Sequence, residues 1–167
     1  LDAAKNSDVA LEFEWAFTND TVTVARRGIS HWALKTQSKE AHSSTIFQEA
    51  VGYGAIFETA RILEAMRLEL AHEKYLTFNP GLILGGNTIR YEKNGSKGEA
   101  FGPENVIAKN VIVQGDLRYL TVKQKKNAEK RMITTLHKNL HGTNAVIDFE
   151  DEIPNMAPTK QNLELLN

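Results

Sequence analysis

The run Lys39-Glu40-Ala41-His42-Ser43-Ser44 is the first place where this chain could do chemistry. An imidazole at such a point can donate a hydrogen bond where negative charge grows during a reaction. It can equally be an exposed loop histidine that helps to order the start of the helix behind it. Asn105 and Arg118 frame a β-type run further on. Arg118 offers a planar fork that fits a carboxylate; otherwise it pairs with Asp116 or a helix end, and Asn105 tightens the start of the strand. His137 and His141 stand four apart on one face of a predicted helix. They lack the His-Glu-x-x-His pattern of a zinc helix and read as a solvated helix end. The chain has no Cys, which excludes disulfides, thiolate metal sites and a Cys nucleophile.

Charge narrows the partners. A net charge of −1 gives no general attraction to nucleic acid or to an anionic membrane, so neither is expected as a partner. Arg26-Arg27 is too short a basic run for nucleic acid. The cluster Lys123, Lys125, Lys126, Lys130 and Arg131 alternates with an apolar helix face and reads as its solvated side. No apolar run is long enough to span a bilayer. At 167 residues the chain can bury one real core.

The elements that must position these side chains follow from periodicity. Residues 21–38 alternate as a long β stretch, with Ser30, Trp32, Leu34 and Thr36 on one face and Ile29, His31 and Ala33 on the other. Gly28 marks a bend or bulge. Thr45 with Gln48 predicts a capping box. The helix behind it is expected to run to about His72 on a stripe of Ile46, Ala50, Tyr53, Phe57, Ala60, Leu63 and Leu70. Gly52 and Gly54 weaken it, or mark the close approach of another backbone. An extended segment from Tyr75 is interrupted at Pro80-Gly81 and reaches Gly85-Gly86-Asn87. A long polar excursion from Arg90 to Pro103 then reads as a hairpin connection. The next strand takes in Val106-Ile107, Val111-Ile112-Val113 and Leu117. Thr121 with Gln124 predicts a second capping box, ahead of a helix on Ala128, Met132, Leu136 and Leu140 that closes at Gly142. Asn144 to Phe149 is a last strand, and residues 150–160 read as a linker.

The order is β-α-β-β-α-β, an α+β fold of ferredoxin-like plan: a four-stranded antiparallel sheet with both helices on one face. In that plan the first and last strands are antiparallel neighbours, so the chain arrives and leaves at adjacent points. That suits a domain inserted into a larger one. The chain begins at Leu1 without Met or signal peptide and stops at Asn167, and both ends are expected to be cuts in a longer protein.

A set of motifs carries a resemblance. Phe13-Glu14, Ala25-Arg26-Arg27-Gly28, the His42 run, Gly85-Gly86-Asn87, Asn105-Val106-Ile107-Ala108, Gly115-Asp116-Leu117-Arg118 and Pro154-Asn155-Met156-Ala157-Pro158-Thr159 follow in order. The series resembles the lid, or dimerisation domain, of the zinc-dependent superfamily of metallopeptidases. That superfamily includes the glutamate carboxypeptidases, acetylornithine deacetylases and succinyl-diaminopimelate desuccinylases. It implies residues 1–25 as a remnant of the catalytic domain and hinge, 26–150 as the lid, and 151–167 as the return. It implies a homodimer formed through the lid, each copy using a helix and an edge strand, and a peptide or N-acyl amino acid substrate for the parent enzyme. His42 would reach the partner's active site and bind the substrate carbonyl oxygen. Asn105 and Arg118 would line the substrate site. Glu14, or Glu12 in the adjacent register, would ligate one of two zinc ions, whose other ligands lie outside this chain. The fragment alone is therefore expected to hold no zinc and to be inactive. One departure is Ala108, where many relatives have Pro.

Two other readings compete. A stand-alone ferredoxin-like module could bind a small ligand, but an RNA-recognition version lacks aromatics between Asn105 and Arg118. A purely structural dimer domain overlaps with the lid.

Overall fold

The computed structural model describes residues 2–11, 18, 21–92 and 97–166. The chain forms two compact units, Leu1–Val24 with Pro158–Asn167, and Ala25–Ala157. In the first, helix α1 (Asp2–Lys5) is one short turn, and the last helix, residues 160–164, is capped by Thr159, whose hydroxyl accepts from Asn162 N at 3.2 Å.

The second unit carries the sheet. Its elements are β1 (Gly28–Ser38), a 3-10 turn (Ser43–Thr45), α2 (Ala55–Leu70), β2 (Thr77–Gly86), β3 (Thr88–Glu92), β4 (Lys97–Phe101), β5 (Asn110–Tyr119), α3 (Val122–Thr135) and β6 (Thr143–Ile153). Four strands make one antiparallel sheet in the order β2-β5-β1-β6. The excursion predicted after Asn87 is the β3–β4 hairpin, a separate two-stranded ribbon. The interruption at Pro80-Gly81 is a register shift in β2, because proline has no N–H to give the ladder. The irregularity expected at Gly28 falls one step on, between Ile29 and Ser30 against β6.

The core lies between one sheet face and the two longer helices. Trp32 and Leu34 of β1 and Val111, Val113 and Leu117 of β5 meet Ile62, Met66 and Leu70 of α2 and Ala128 and Met132 of α3. Each large apolar side chain buried there contributes about 1.5–3 kcal/mol. Trp32 lies across Gly115, where an added Cβ would come 2.4 Å from the indole, and its Nε1 donates to Asp116 O at 3.1 Å. Helix α3 starts as its cap predicts: Gln124 N donates to Thr121 Oγ1 at 3.1 Å, and the Gln124 side-chain oxygen accepts from Leu120 N at 2.9 Å.

Six expectations need correction, two of them strand starts: β1 begins at Gly28 and not at Thr21, and β5 at Asn110 and not at Val106. The first helix does not start at Thr45; α2 begins at Ala55, and residues 43–54 form a turn. Gly52 and Gly54, with φ of 90° and 82°, take a left-handed backbone that ends helix propagation. The buried stripe of α2 is Ala55, Thr59, Ile62, Met66 and Leu70, whereas Phe57 and Ala60 of the predicted stripe are exposed. Helix α3 stops at Thr135, so His137 and His141 share no helix face, and Gly142 belongs to the turn before β6. Strand β6 runs to Ile153, so residues 150–153 pair with β1 and are not linker.

Candidate functional site

The sheet has two ends with different chemistry. At the near end the chain enters and leaves the unit, and Arg26 and Met156 bridge there through N–H···O bonds of 2.8 and 2.9 Å. Arg118 lies at this end, opposite Ile29 and Thr77, on the sheet face away from the helices. Its Nε donates to Asp116 Oδ2 at 2.8 Å. Asp151 lies at the same end but two strands away on β6 and on the helix-facing side, in contact with Lys125 Nζ and Ser30 Oγ. Lys125, helped by the Ser30 hydroxyl, holds the Asp151 carboxyl below the usual carboxylate range.

The far end carries His42. Beyond Ser38 the chain runs beside residues 105–109 in a short backbone ladder. Ser38 N donates to Lys109 O at 2.9 Å, Ile107 N to Ala41 O at 2.9 Å, and Ser43 N to Asn105 O at 2.8 Å. Asn87 locks the same corner, its amide donating to Ile107 O at 3.0 Å while its carbonyl accepts from Asn110 at 3.1 Å. His42 and Asn105 are thus neighbours, and both are exposed. Arg118 is not with them. It lies eight steps along β5 from Asn110, roughly 26 Å at strand rise. Glu14 and its alternative Glu12 lie outside the described residues.

The turn fixes the state of the histidine. His42 caps it, with φ −64° and ψ 138°, and its Nδ1 accepts from Ser44 N at 3.2 Å and lies 2.8 Å from Ser44 Oγ. Accepting from an N–H requires the Nδ1 lone pair, so the neutral ring carries its proton on Nε2. Nε2 has no partner among the described residues and is presented outward as a donor. Thr45 reinforces the turn, its N and hydroxyl both donating to His42 O, at 3.0 and 2.7 Å.

The rest of the loop is bolted to the far side of the domain. Tyr53 N donates to His141 O at 3.1 Å, and Gly52 and Gly142 lie back to back. A Cβ on Gly52 would fall 2.1 Å from His141 O, so no larger residue fits. Behind them Glu58, fully buried, accepts from Arg61 Nε at 2.9 Å and Nη2 at 2.6 Å and from Leu140 N at 2.9 Å. Sequence reading missed Glu58, because a carboxylate at a helix start ordinarily faces water. It also missed Phe47, a non-glycine residue at φ 72°, a conformation that costs about 1–3 kcal/mol. Phe47 is 56% exposed and packs against Tyr53 and Phe57, with ring centroids at 5.3 and 5.7 Å.

Among the described residues no group of three or more His, Asp or Glu could hold a metal ion. His141 is turned to Glu49 O, with Nε2 at 2.5 Å. The described residues therefore do not fit a zinc pair by themselves.

A tripeptidase from Staphylococcus aureus superimposes with a TM-score of 0.61 at 23% identity, over 79% of this chain and 31% of that one. An aminopeptidase from Bacillus cereus gives 0.60 at 18%, over 80% and 32%. A hydantoinase/carbamoylase family amidase from Burkholderia ambifaria gives 0.62 at 18%, over 86% and 34%. At these identities the likeness is one of fold, and this chain spans about a third of the length of each protein. Among curated proteins no sequence matches. The family model of the peptidase dimerisation domain matches residues 24–144, which takes in β1 through the start of β6 together with the His42 turn. The chain belongs to the peptidase dimerisation domain family.

Proposed function

We propose that this unit is the lid of a homodimeric, two-zinc amidohydrolase acting on a peptide or an N-acyl amino acid, and that each copy lends His42 to its partner's active site. The observation that carries this reading is the state of His42. Its Nδ1 is consumed within the turn, and its Nε2–H points outward at the end of the sheet farthest from where the chain arrives and leaves. A donor so placed suits an oxyanion, where one hydrogen bond is worth about 10²–10³-fold in rate. Its distance from the near end favours a site belonging to another copy. Asn105 would accompany it there, while Arg118, at the near end, would offer its guanidinium to a substrate carboxylate in its own chain's site. The zinc pair belongs to the remainder of the parent enzyme, with Glu14 as one ligand.

Pairing of two copies is supported along β2 and α2. Strand β2 is a sheet edge, and Ile83 on it and Ile56 on α2 are each more than half exposed. The groove between the two elements, about 520 Å³, is lined by Leu63, Leu70, Leu76, Phe78 and Pro80. Family membership disfavours a stand-alone small-ligand module.

The test is trans-complementation in the full-length enzyme. His42→Ala should lower kcat by about 10²–10³-fold. Mixing that variant with one disabled in its zinc ligands should restore activity, because the hybrid dimer holds one intact composite site. Activity that stays lost on mixing, with hybrid dimers demonstrated, would sink the lending of His42. The isolated chain should self-associate in light scattering and show no hydrolysis with zinc and substrate.

A further inference from the structure

We infer that Phe47 is a specificity-determining residue of the composite site, selecting substrates with an apolar, preferably aromatic, side chain beside the scissile amide. The inference rests on the reading of His42 given above and adds the substrate class.

Two independent features single out Phe47. The first is conformational. Its φ of 72° suits glycine or asparagine and is strained for a bulky side chain. A residue serving only to shape the turn would be one of those two. The backbone is held there by Phe47 N donating to Gly52 O at 2.9 Å and Gly52 N to Gln48 O at 2.8 Å, with Gly52 itself wedged against Gly142. The second is exposure. Phe47, Tyr53 and Phe57 are 56%, 38% and 51% exposed and touch edge to face. Such a cluster is a ready apolar wall with rings at fixed angles to one another.

The tie to His42 chooses the occupant. Phe47 is five residues on from His42, so the two backbones are at most about 17 Å apart even at full extension. Thr45 N bonds to His42 O and Gln48 N to Thr45 O, which shortens the path and makes the segment one body. Wherever His42 reaches a substrate carbonyl, Phe47 travels with it on the same hydrogen-bonded segment, on the substrate-facing side in this reading. Its ring then borders the pocket for the neighbouring side chain, and burial of apolar surface against it favours apolar substrates.

The experiment uses the full-length enzyme and N-acetyl derivatives of alanine, leucine, phenylalanine and glutamate. Phe47→Gly removes the ring and relieves the backbone, so folding is retained; Phe47→Leu keeps apolar bulk. The wild type should prefer the phenylalanine and leucine derivatives. Phe47→Gly should lower the ratio of kcat/KM for phenylalanine over alanine derivatives by about 10- to 100-fold, and Phe47→Leu should recover part of it. An equal loss on all four substrates would make Phe47 a support of the turn and overturn the inference. So would dissociation of the dimer in light scattering, which would make the ring cluster a subunit contact. His42→Ala, measured beside them, separates the two readings. If it is inactive while Phe47→Gly keeps the wild-type ratio, only the present inference fails; if His42→Ala is fully active, both fail.

Discussion

The two ends of the sheet are held by backbone and side chain in different proportions. At the far end, backbone meets backbone: Ser43 with Asn105, Ala41 with Ile107, Tyr53 with His141, and two glycines in contact. The polar group behind them, Glu58, is fully buried and accepts three hydrogen bonds. At the near end there is one backbone bridge, Arg26 with Met156, and the other contacts are between partly exposed side chains: Lys125 with Asp151, Arg118 with Asp116, and Arg27 Nη1 donating to Thr77 Oγ1 at 3.0 Å. Main-chain and buried contacts hold atoms to one geometry at any salt concentration. Solvated ion pairs hold more weakly and soften with salt. The end that carries His42 is the one held mostly by backbone, which the role proposed for that residue would require.

This contrast can be broken in order of effect. Glu58→Ala should be the most damaging, at about 3 kcal/mol, because it leaves the Arg61 guanidinium and the Leu140 amide without their carboxylate. Urea denaturation measures it, and a loss below 1 kcal/mol would mean the clamp is slack. Gly52→Ala should cost about 2 kcal/mol, through the clash with His141 O and the strained φ. Amide exchange should then quicken at Ser43, Ser44 and Thr45 while β5 stays protected; equal change in both would deny that the loop is separately clamped.

Near-end changes should be milder. Asp151→Asn should cost about 1 kcal/mol or less, falling further with added salt. Lys125, and after it Ser30, hold the Asp151 carboxyl low, so its contribution is complete above the ordinary carboxylate pKa. It is lost as pH falls through the lowered one, below about pH 4. The variant should therefore show a shallower acid limb in thermal melts across that range, and an unchanged limb would contradict the pairing. Smallest of all, Arg118→Ala should shift stability by no more than about 0.5 kcal/mol, since Arg118 is exposed and its partner Asp116 keeps access to water. A large loss in calorimetry would mean that Arg118 is a structural anchor instead of a free fork.

Periodicity made most of the sheet legible. Trp32 and Leu34 alternate with Ala33 and Lys35, and the stripe Ala128, Met132, Leu136 lies where the helix buries it. The misreadings have physical causes. Ile46, Ala50, Tyr53 and Phe57 are spaced like a helix face, yet the helix starts only at Ala55. What decides this is the meeting of Gly52 with Gly142, ninety positions away, and no local pattern encodes that meeting. The stripe through Phe57 and Ala60 looked like core because it is apolar; it is exposed along the β2 edge. Glu150-Asp151-Glu152 looked like linker because it is charged, but Asp151 finds Lys125 and the strand continues. Nothing in the sequence places Asn105 beside His42; the backbone ladder that joins residues 38–43 to 105–109 does. The proton on Nε2 was not legible at all, because it depends on a single hydrogen bond from Ser44.

If the unit were to turn as one body about the bridge between Arg26 and Met156, the length of β1 would set its reach. Strand β1 extends from beside that bridge for about 36 Å at strand rise, with His42 beyond its end. A turn of only about 10° about the bridge would sweep the imidazole through about 6 Å, more than the span of a hydrogen bond. The length of one strand thus makes a small change of angle at one doorway a large displacement at the other end of the domain.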